Sequence, residues 1–306
     1  MRTSFFLPHE GEFWSGEAVK AIAVQAEALG FDGLAVSEHP VPGTDTFAFG
    51  GHNQADPFVT LAIAAAVTQR LKLQTHVIVL PYRNPFLTAK SIATLDCMSG
   101  GRVNMGVGAG YGQAEFKALG VDFEERNELT DEAIAAMKQV WTGEEIAFKG
   151  RHFEAEGVMA APRPAQRPHP PIWVGGNSKR AIRRAIELGD GWLPFGNPPD
   201  VAADRRSSMI WSPEDLKRGV DFLQSAADAA GRTAPIEVIF APYTTATSSR
   251  CPDPAETIDV TSKLKEAGMT YCSCAIVGPR TEDNLAAFLA NMEWMAKTIL
   301  PGFEAL

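Results

Sequence analysis

Eight times along this 306-residue chain a short apolar run gives way to a longer segment of helical periodicity. The apolar runs are residues 3–8, 33–39, 71–80, 103–110, 171–177, 191–195, 236–243 and 271–277. The helical segments are 16–29, 57–68, 85–98, 128–141, 178–188, 213–230, 254–267 and 282–300. The runs are nearly continuous in apolar residues rather than alternating, which is the pattern of parallel strands covered on both faces. Strict strand–helix alternation without a break in composition predicts an α/β fold, a single (β/α)8 TIM barrel over residues 1–306 with loop insertions.

Punctuation supports these boundaries. Gly30 and Gly268 stand where a left-handed cap ends a helix. Pro57, Pro85, Pro213 and Pro254 stand where proline suits a first helical turn. Two stretches exceed what a minimal barrel needs. Residues 40–56 follow a strand and so belong to the carboxyl face, where they can cover a ligand; residues 143–170 contain a hairpin around Gly150 and a proline-rich connector that precedes a strand.

A formal charge of −9 argues against a nucleic-acid-binding surface, which needs clustered Lys and Arg. The longest uncharged apolar stretch, residues 57–68, falls short of the roughly 20 residues of a membrane span. The N-terminus turns acidic too soon for a signal peptide, so a cytoplasmic location is expected. Cys97, Cys251, Cys272 and Cys274 form no CxxC pair, and no zinc-ligand spacing occurs, so neither a metal site nor a disulfide framework is expected. Cys272 and Cys274 read as buried thiols on one face of a strand.

In a parallel barrel, ligands sit at the carboxyl ends of the strands. The second strand ends in Ser37-Glu38-His39, which places a carboxylate and an imidazole on that rim. They are candidate acid–base groups, or else His39 bonds a neighbouring loop and Glu38 is solvated. The fifth strand runs into Gly175-Gly176-Asn177-Ser178-Lys179. A helix starting there offers unpaired N–H groups to a phosphate, with Lys179 adding charge; the alternative is a tight turn with Ser178 as N-cap. Gly106, Gly108 and Gly110 alternate along the fourth strand and leave one face without side chains. A flat ring can lie against that face, with Tyr111 at its rim, or a helix can pack closely on the strand there. Thr75 and His76 interrupt an apolar strand, and such buried polar groups need partners, internal or bound. Ser99-Gly100-Gly101-Arg102 precedes a strand and reads as a helix stop with an anchoring Arg.

Taken in order, Ser37-Glu38-His39, Leu73 through Pro81, Ala93-Thr94-Leu95-Asp96, Ser99 through Arg102, Gly106 through Gly110, Arg126 with Asp131-Glu132, Pro171 through Gly176 and Gly189-Asp190-Gly191-Trp192 resemble the luciferase-like monooxygenases. The resemblance covers at least residues 1–200 and is nearest to the coenzyme F420-dependent oxidoreductase branch. It implies a TIM barrel that binds F420 or FMN and moves hydride between F420 and a small organic substrate. The alternatives are an FMN-dependent monooxygenase that uses reduced flavin and O2, and a non-catalytic barrel. By the same resemblance His39 lies near the reactive ring as acid–base group or donor to an oxyanion, acting alone or assisted by Glu38 or Tyr111. Thr75, His76 and Val77 line the ring, Gly108 and Gly110 adjoin it, and a non-prolyl cis peptide joins His76 to Val77. Gly175, Gly176, Asn177 and Ser178 hold the cofactor phosphate. Tyr111 departs from relatives that carry a Glu proton donor there.

The rim loops 40–56 and 196–211 carry Phe47, Phe49 and Trp211 and no diagnostic charge pattern, so a mainly apolar substrate is expected. The helix at residues 57–67 is apolar around most of its circumference, which predicts a homodimer interface.

Overall fold

The computed structural model describes residues 1–8, 10–44, 54–196, 208–245 and 251–306. Phe47 and Phe49 lie outside the described residues. Eight parallel strands close into a barrel: β1 (Arg2–Phe6), β2 (Gly33–Val36), β3 (Lys72–Val79), β4 (Val103–Gly108), β7 (Ile172–Gly175), β8 (Gly191–Leu193), β9 (Glu237–Phe240) and β10 (Tyr271–Cys274). β1 pairs with both β2 and β10, which closes the ring. Between β4 and β7 an antiparallel hairpin, β5 (Ile146–Lys149) and β6 (Glu154–Val158), stands outside the barrel at the place expected around Gly150.

Helices α1 (Gly16–Leu29), α2 (Pro57–Val67) and α3 (Pro85–Ser99) follow the first three strands. Beyond β4 come α4 (Gln113–Ala118) and α5 (Arg126–Thr142), and α6 (Lys179–Leu188), α7 (Pro213–Ala229), α8 (Pro254–Glu266), α9 (Leu285–Thr298) and α10 (Leu300–Ala305) complete the shell. Each proline named above occupies a first turn, and Asp56, Asn84, Ser212 and Asp253 cap those same helices through their side chains. Gly30 adopts φ 88° and Gly100 φ 70°, the left-handed conformation that ends α1 and α3. Two elements went unread in the sequence. The short α4 has too few residues for a period, and α10, although Pro301 marks its first turn, follows α9 directly. None of the helices among the described residues is long and apolar enough to cross a membrane.

Two apolar cores result from strands covered on both sides. The larger lies between strands and helices. The smaller fills the barrel interior with Trp173, Leu193, Ile239 and Tyr271, against which Val77 and Phe195 pack from the carboxyl end. Cys272 and Cys274 are buried free thiols, as expected, and a hydrogen bond from one thiol to the other together with burial holds Cys272 above its usual range. Arg102 is an internal anchor: its guanidinium donates to Thr68 Oγ1 and to the carbonyls of Ala65, Thr68, Leu71 and Ser99, tying the end of α2 to β3 and β4.

Candidate functional site

The carboxyl rim gathers groups that are distant in sequence. β2 ends at Val36, and the chain continues through Ser37 and Glu38 to His39. Glu38 is buried, with both carboxylate oxygens engaged. Oε2 accepts from the Val79 N–H at 2.7 Å and Oε1 from Arg83 Nε at 2.5 Å, while the Arg83 guanidinium also pairs with Asp56. Burial raises the Glu38 carboxyl above its usual range and the Arg83 charge opposes that rise. This tie joins the end of β2 to the end of β3.

His39 faces a partner that sequence reading did not single out. Its Nδ1 lies 2.9 Å from Oε2 of Glu115, whose side chain is only 3% exposed, and the His39 side chain is 13% exposed. On its other nitrogen, Nε2 is 3.3 Å from the hydroxyl of Tyr111. Glu115 stands in the first turn of α4, directly after the glycine-rich end of β4. The available signal was an acidic residue opening a helix on the catalytic face, but its 76-residue separation from His39 hid the pairing.

The peptide between His76 and Val77 is cis, as the resemblance implied, and the β3–β4 register shifts between Thr75 and Ile78. At this irregularity the Val77 side chain covers the glycine face of β4. A Cβ at Gly108 would meet Val77 Cγ2 at 2.8 Å, and one at Gly106 would meet the Thr75 carbonyl oxygen at 2.2 Å. A Cβ at Gly175 would also approach Val77, at 3.1 Å, and one at Gly110 would strike Val79 and Phe116. The close neighbour of Gly106 and Gly108 is thus the adjacent strand and not the helix that close helix–strand packing would bring: β3 fills the space they vacate, and only at Gly110 does a helix residue, Phe116, also approach. Val77 therefore presents the apolar wall at this end of the barrel. The Thr75 hydroxyl donates to the Gly106 carbonyl at 2.8 Å, inside the barrel wall.

His76 lies between Phe6 and Phe195, with ring centroids at 4.6 and 5.9 Å, and its Nδ1 is 3.4 Å from Ser273 Oγ. Burial pushes its pKa down to about 3, so the ring is neutral at ordinary pH. Phe6, His76, Phe195, Trp211, Phe240 and Tyr243 line a cavity of about 210 Å3 at the barrel mouth. A larger cavity, about 650 Å3, opens at the opposite end. Its acids are committed to the frame: Glu27 accepts from three successive N–H groups, Asp32 from Thr3, Asp190 from Ile172, and Glu237 pairs with Arg2. The amino-terminal face of such a barrel serves stability, so the smaller mouth cavity is the candidate site.

At the end of β7, Gly176 adopts φ 126°, and Asn177 clamps the segment after β8. Its side-chain amide donates to the Phe195 and Ser208 carbonyls and accepts from the Phe195 N–H. Ser178 caps α6 by accepting from the Ala181 N–H, so its hydroxyl is used within the helix start, and a helix N-terminus of this kind is suited to receive an anion. Lys179 stands over the Phe222 ring, 5.2 Å from its centroid, and packs toward α7.

Strand-end imidazole, apolar wall, mouth cavity and helix N-terminus share the carboxyl rim of a parallel barrel, the layout of a (β/α)8 enzyme with its ligand at the strand ends. The chain belongs to the luciferase-like monooxygenase family, whose sequence profile matches residues 1–256, and is an oxidoreductase of that family. It is 30% identical over 228 residues to the FMNH2-dependent dimethylsulfone monooxygenase of Pseudomonas putida, covering 74% of this chain and 57% of that one. An uncharacterized protein of Mycobacterium tuberculosis is 27% identical over 296 residues, 91% of this chain and 93% of that one. Two solved structures share the fold. The monooxygenase RslO1 from Streptomyces bottropensis has a TM-score of 0.80 at 21% identity, covering 99% of this chain and 100% of that one. The coenzyme F420 dependent tetrahydromethanopterin reductase from Methanopyrus kandleri has a TM-score of 0.74 at 18% identity, covering 99% of both chains.

Proposed function

We propose that the chain binds a flavin-type cofactor at the carboxyl rim, with F420 as the leading candidate, and exchanges hydride between it and a small, mainly apolar organic substrate. The observation that carries this reading is the convergence of His39 and the Gly175–Gly176 turn on one rim, with Val77 between them as an apolar wall. The residues suit such a group. Val77, Phe6 and Phe195 offer apolar surfaces to a flat ring, neutral His76 adds no charge beside it, and the α6 N–H groups receive a phosphate. When bound, the cofactor's ring supplies the hydride chemistry.

The protein's own part is orientation and proton handling. His39 Nε2 holds or delivers the proton that accompanies hydride movement, and Tyr111 shares that proton through its hydroxyl. Glu38, engaged by Val79 and Arg83, anchors the strand end that carries His39. The aromatic lining of the mouth selects an uncharged substrate.

A second reading, reduced FMN with O2 in a monooxygenase, is favoured by the identity to the dimethylsulfone enzyme and by Tyr111 at a position where, by the resemblance, some F420-dependent dehydrogenases carry Glu. Titrating the purified chain with each cofactor separates the two. Saturable F420 binding with weak FMN binding is expected; tight FMN binding without F420 binding overturns the first choice.

A homodimer is part of the proposal. Val59 on α2 is 64% exposed and Leu87 on α3 is 70% exposed, apolar surface that a second copy would cover. Sedimentation at micromolar concentration is expected to give twice the 33.0 kDa chain mass, and a monomer alone overturns it.

A further inference from the structure

We infer that Glu115 is the positioning residue of this site: its buried carboxylate holds His39 with a proton on Nδ1 and so makes Nε2 the nitrogen that exchanges protons at the rim. What His39 serves rests on the oxidoreductase reading above; the pairing itself stands on the geometry of the chain alone.

A carboxylate only accepts hydrogen bonds, so the imidazole nitrogen 2.9 Å from Glu115 Oε2 is the donor. In the neutral ring the other nitrogen then carries the lone pair, and the Tyr111 hydroxyl at 3.3 Å donates to it. Two further donors among the described residues reach the carboxylate. The Tyr82 hydroxyl donates to Oε2 at 3.2 Å and the Val41 N–H to Oε1 at 3.4 Å. Burial first, and then the Glu115 charge, hold the Tyr82 phenol well above its usual range, so it remains a donor. The donors come from the segment after β2 and the turn after β3, so one acidic side chain from α4 fixes the ring in space. Gly112 makes room for it: a Cβ there would lie 2.7 Å from Glu115 Oε2. A buried charge is retained at a site only when donors surround it, and here they are aimed by two separate segments of the rim.

The test reads the tautomer directly. In protein labelled with ¹⁵N-histidine, long-range ¹H–¹⁵N spectra assign His39 by its loss in His39→Gln. The expected result for the unaltered chain, without cofactor, is a protonated Nδ1 and an unprotonated Nε2 in the neutral ring. In Glu115→Gln that preference is lost, and kcat falls about 10–100-fold, the usual cost of losing a group that acts through another. The cofactor dissociation constant stays within about threefold. A neutral ring protonated on Nε2 in the unaltered chain overturns the inference whether or not Glu115→Gln folds. An unchanged tautomer and unchanged kcat in the variant also overturn it. Because the spectra need neither F420 nor FMN, failure of the cofactor reading leaves this result standing, and the converse holds.

Discussion

Replacing His39 with alanine lowers kcat/KM for an accepted substrate by about 10²–10⁴-fold, the contribution of a positioned general acid or base. The cofactor dissociation constant changes little, because the proposed phosphate contacts at α6 and the Val77 wall are built by other elements. The expectation follows from geometry. His39 is held from behind by Glu115 and presents Nε2 toward the rim beside Tyr111. Tyr111 is 47% exposed, so the pair reaches the surface of the carboxyl rim. Steady-state kinetics with the cofactor that binds provides the measurement. Turnover equal to that of the unaltered chain would show that the proton travels by another route.

Removing Arg83 destabilises the protein by about 3 kcal/mol at pH 7, the lower part of the range for breaking a buried ion pair. Glu38 is 2% exposed and Arg83 25%, so the variant keeps a buried carboxylate and loses its counter-charge, while solvent reaching Arg83 moderates the loss. The pH dependence has a definite sign. Burial already raises the folded carboxyl above its unfolded value of about 4.3, so the folded state binds the proton more tightly. Stability therefore falls as pH rises from the unfolded toward the folded value, and Arg83→Ala raises the folded value further. The deficit is largest at pH 7 and shrinks as acid protonates Glu38. Urea denaturation at pH 5 and pH 7 checks this, and an equal loss at both would mean that Glu38 is not the group left unpaired.

Hydrogen bonds tie the rim together where the β3–β4 register is irregular. Glu38 bonds the Val79 N–H just beyond the cis peptide, and the same carboxylate holds Arg83. The backbone that aims His39 and the backbone that aims Val77 are thus one hydrogen-bonded unit. A change in Arg83 consequently reaches both faces of the proposed ring site.

Legibility differed between elements for physical reasons. The helices at 16–29, 57–67 and 85–99 were readable to within a residue, because capping residues and prolines encode their ends locally. Strands 9 and 10 were read too long: residues 241–243 and 275–277 continue the apolar run but leave the sheet to line or support the mouth. Arg102 was read correctly as an anchor because its position before a strand fixed its face. Lys179 was read as a possible phosphate partner, yet it packs over Phe222, since rotamer choice depends on α7. Glu115 went unread because α4 is six residues long and its partner comes from another strand.

Sequence by itself determined the barrel, its strand order along the chain, and the placement of His39 and the diglycine turn at strand ends, because periodicity and turn chemistry are local properties. Tertiary structure alone decided that β3 fills the glycine face of β4 through Val77, that Glu38 is consumed by Arg83, and that Glu115 meets His39. Those outcomes depend on register, bulge and side-chain direction between strands far apart in the chain, which no local pattern encodes.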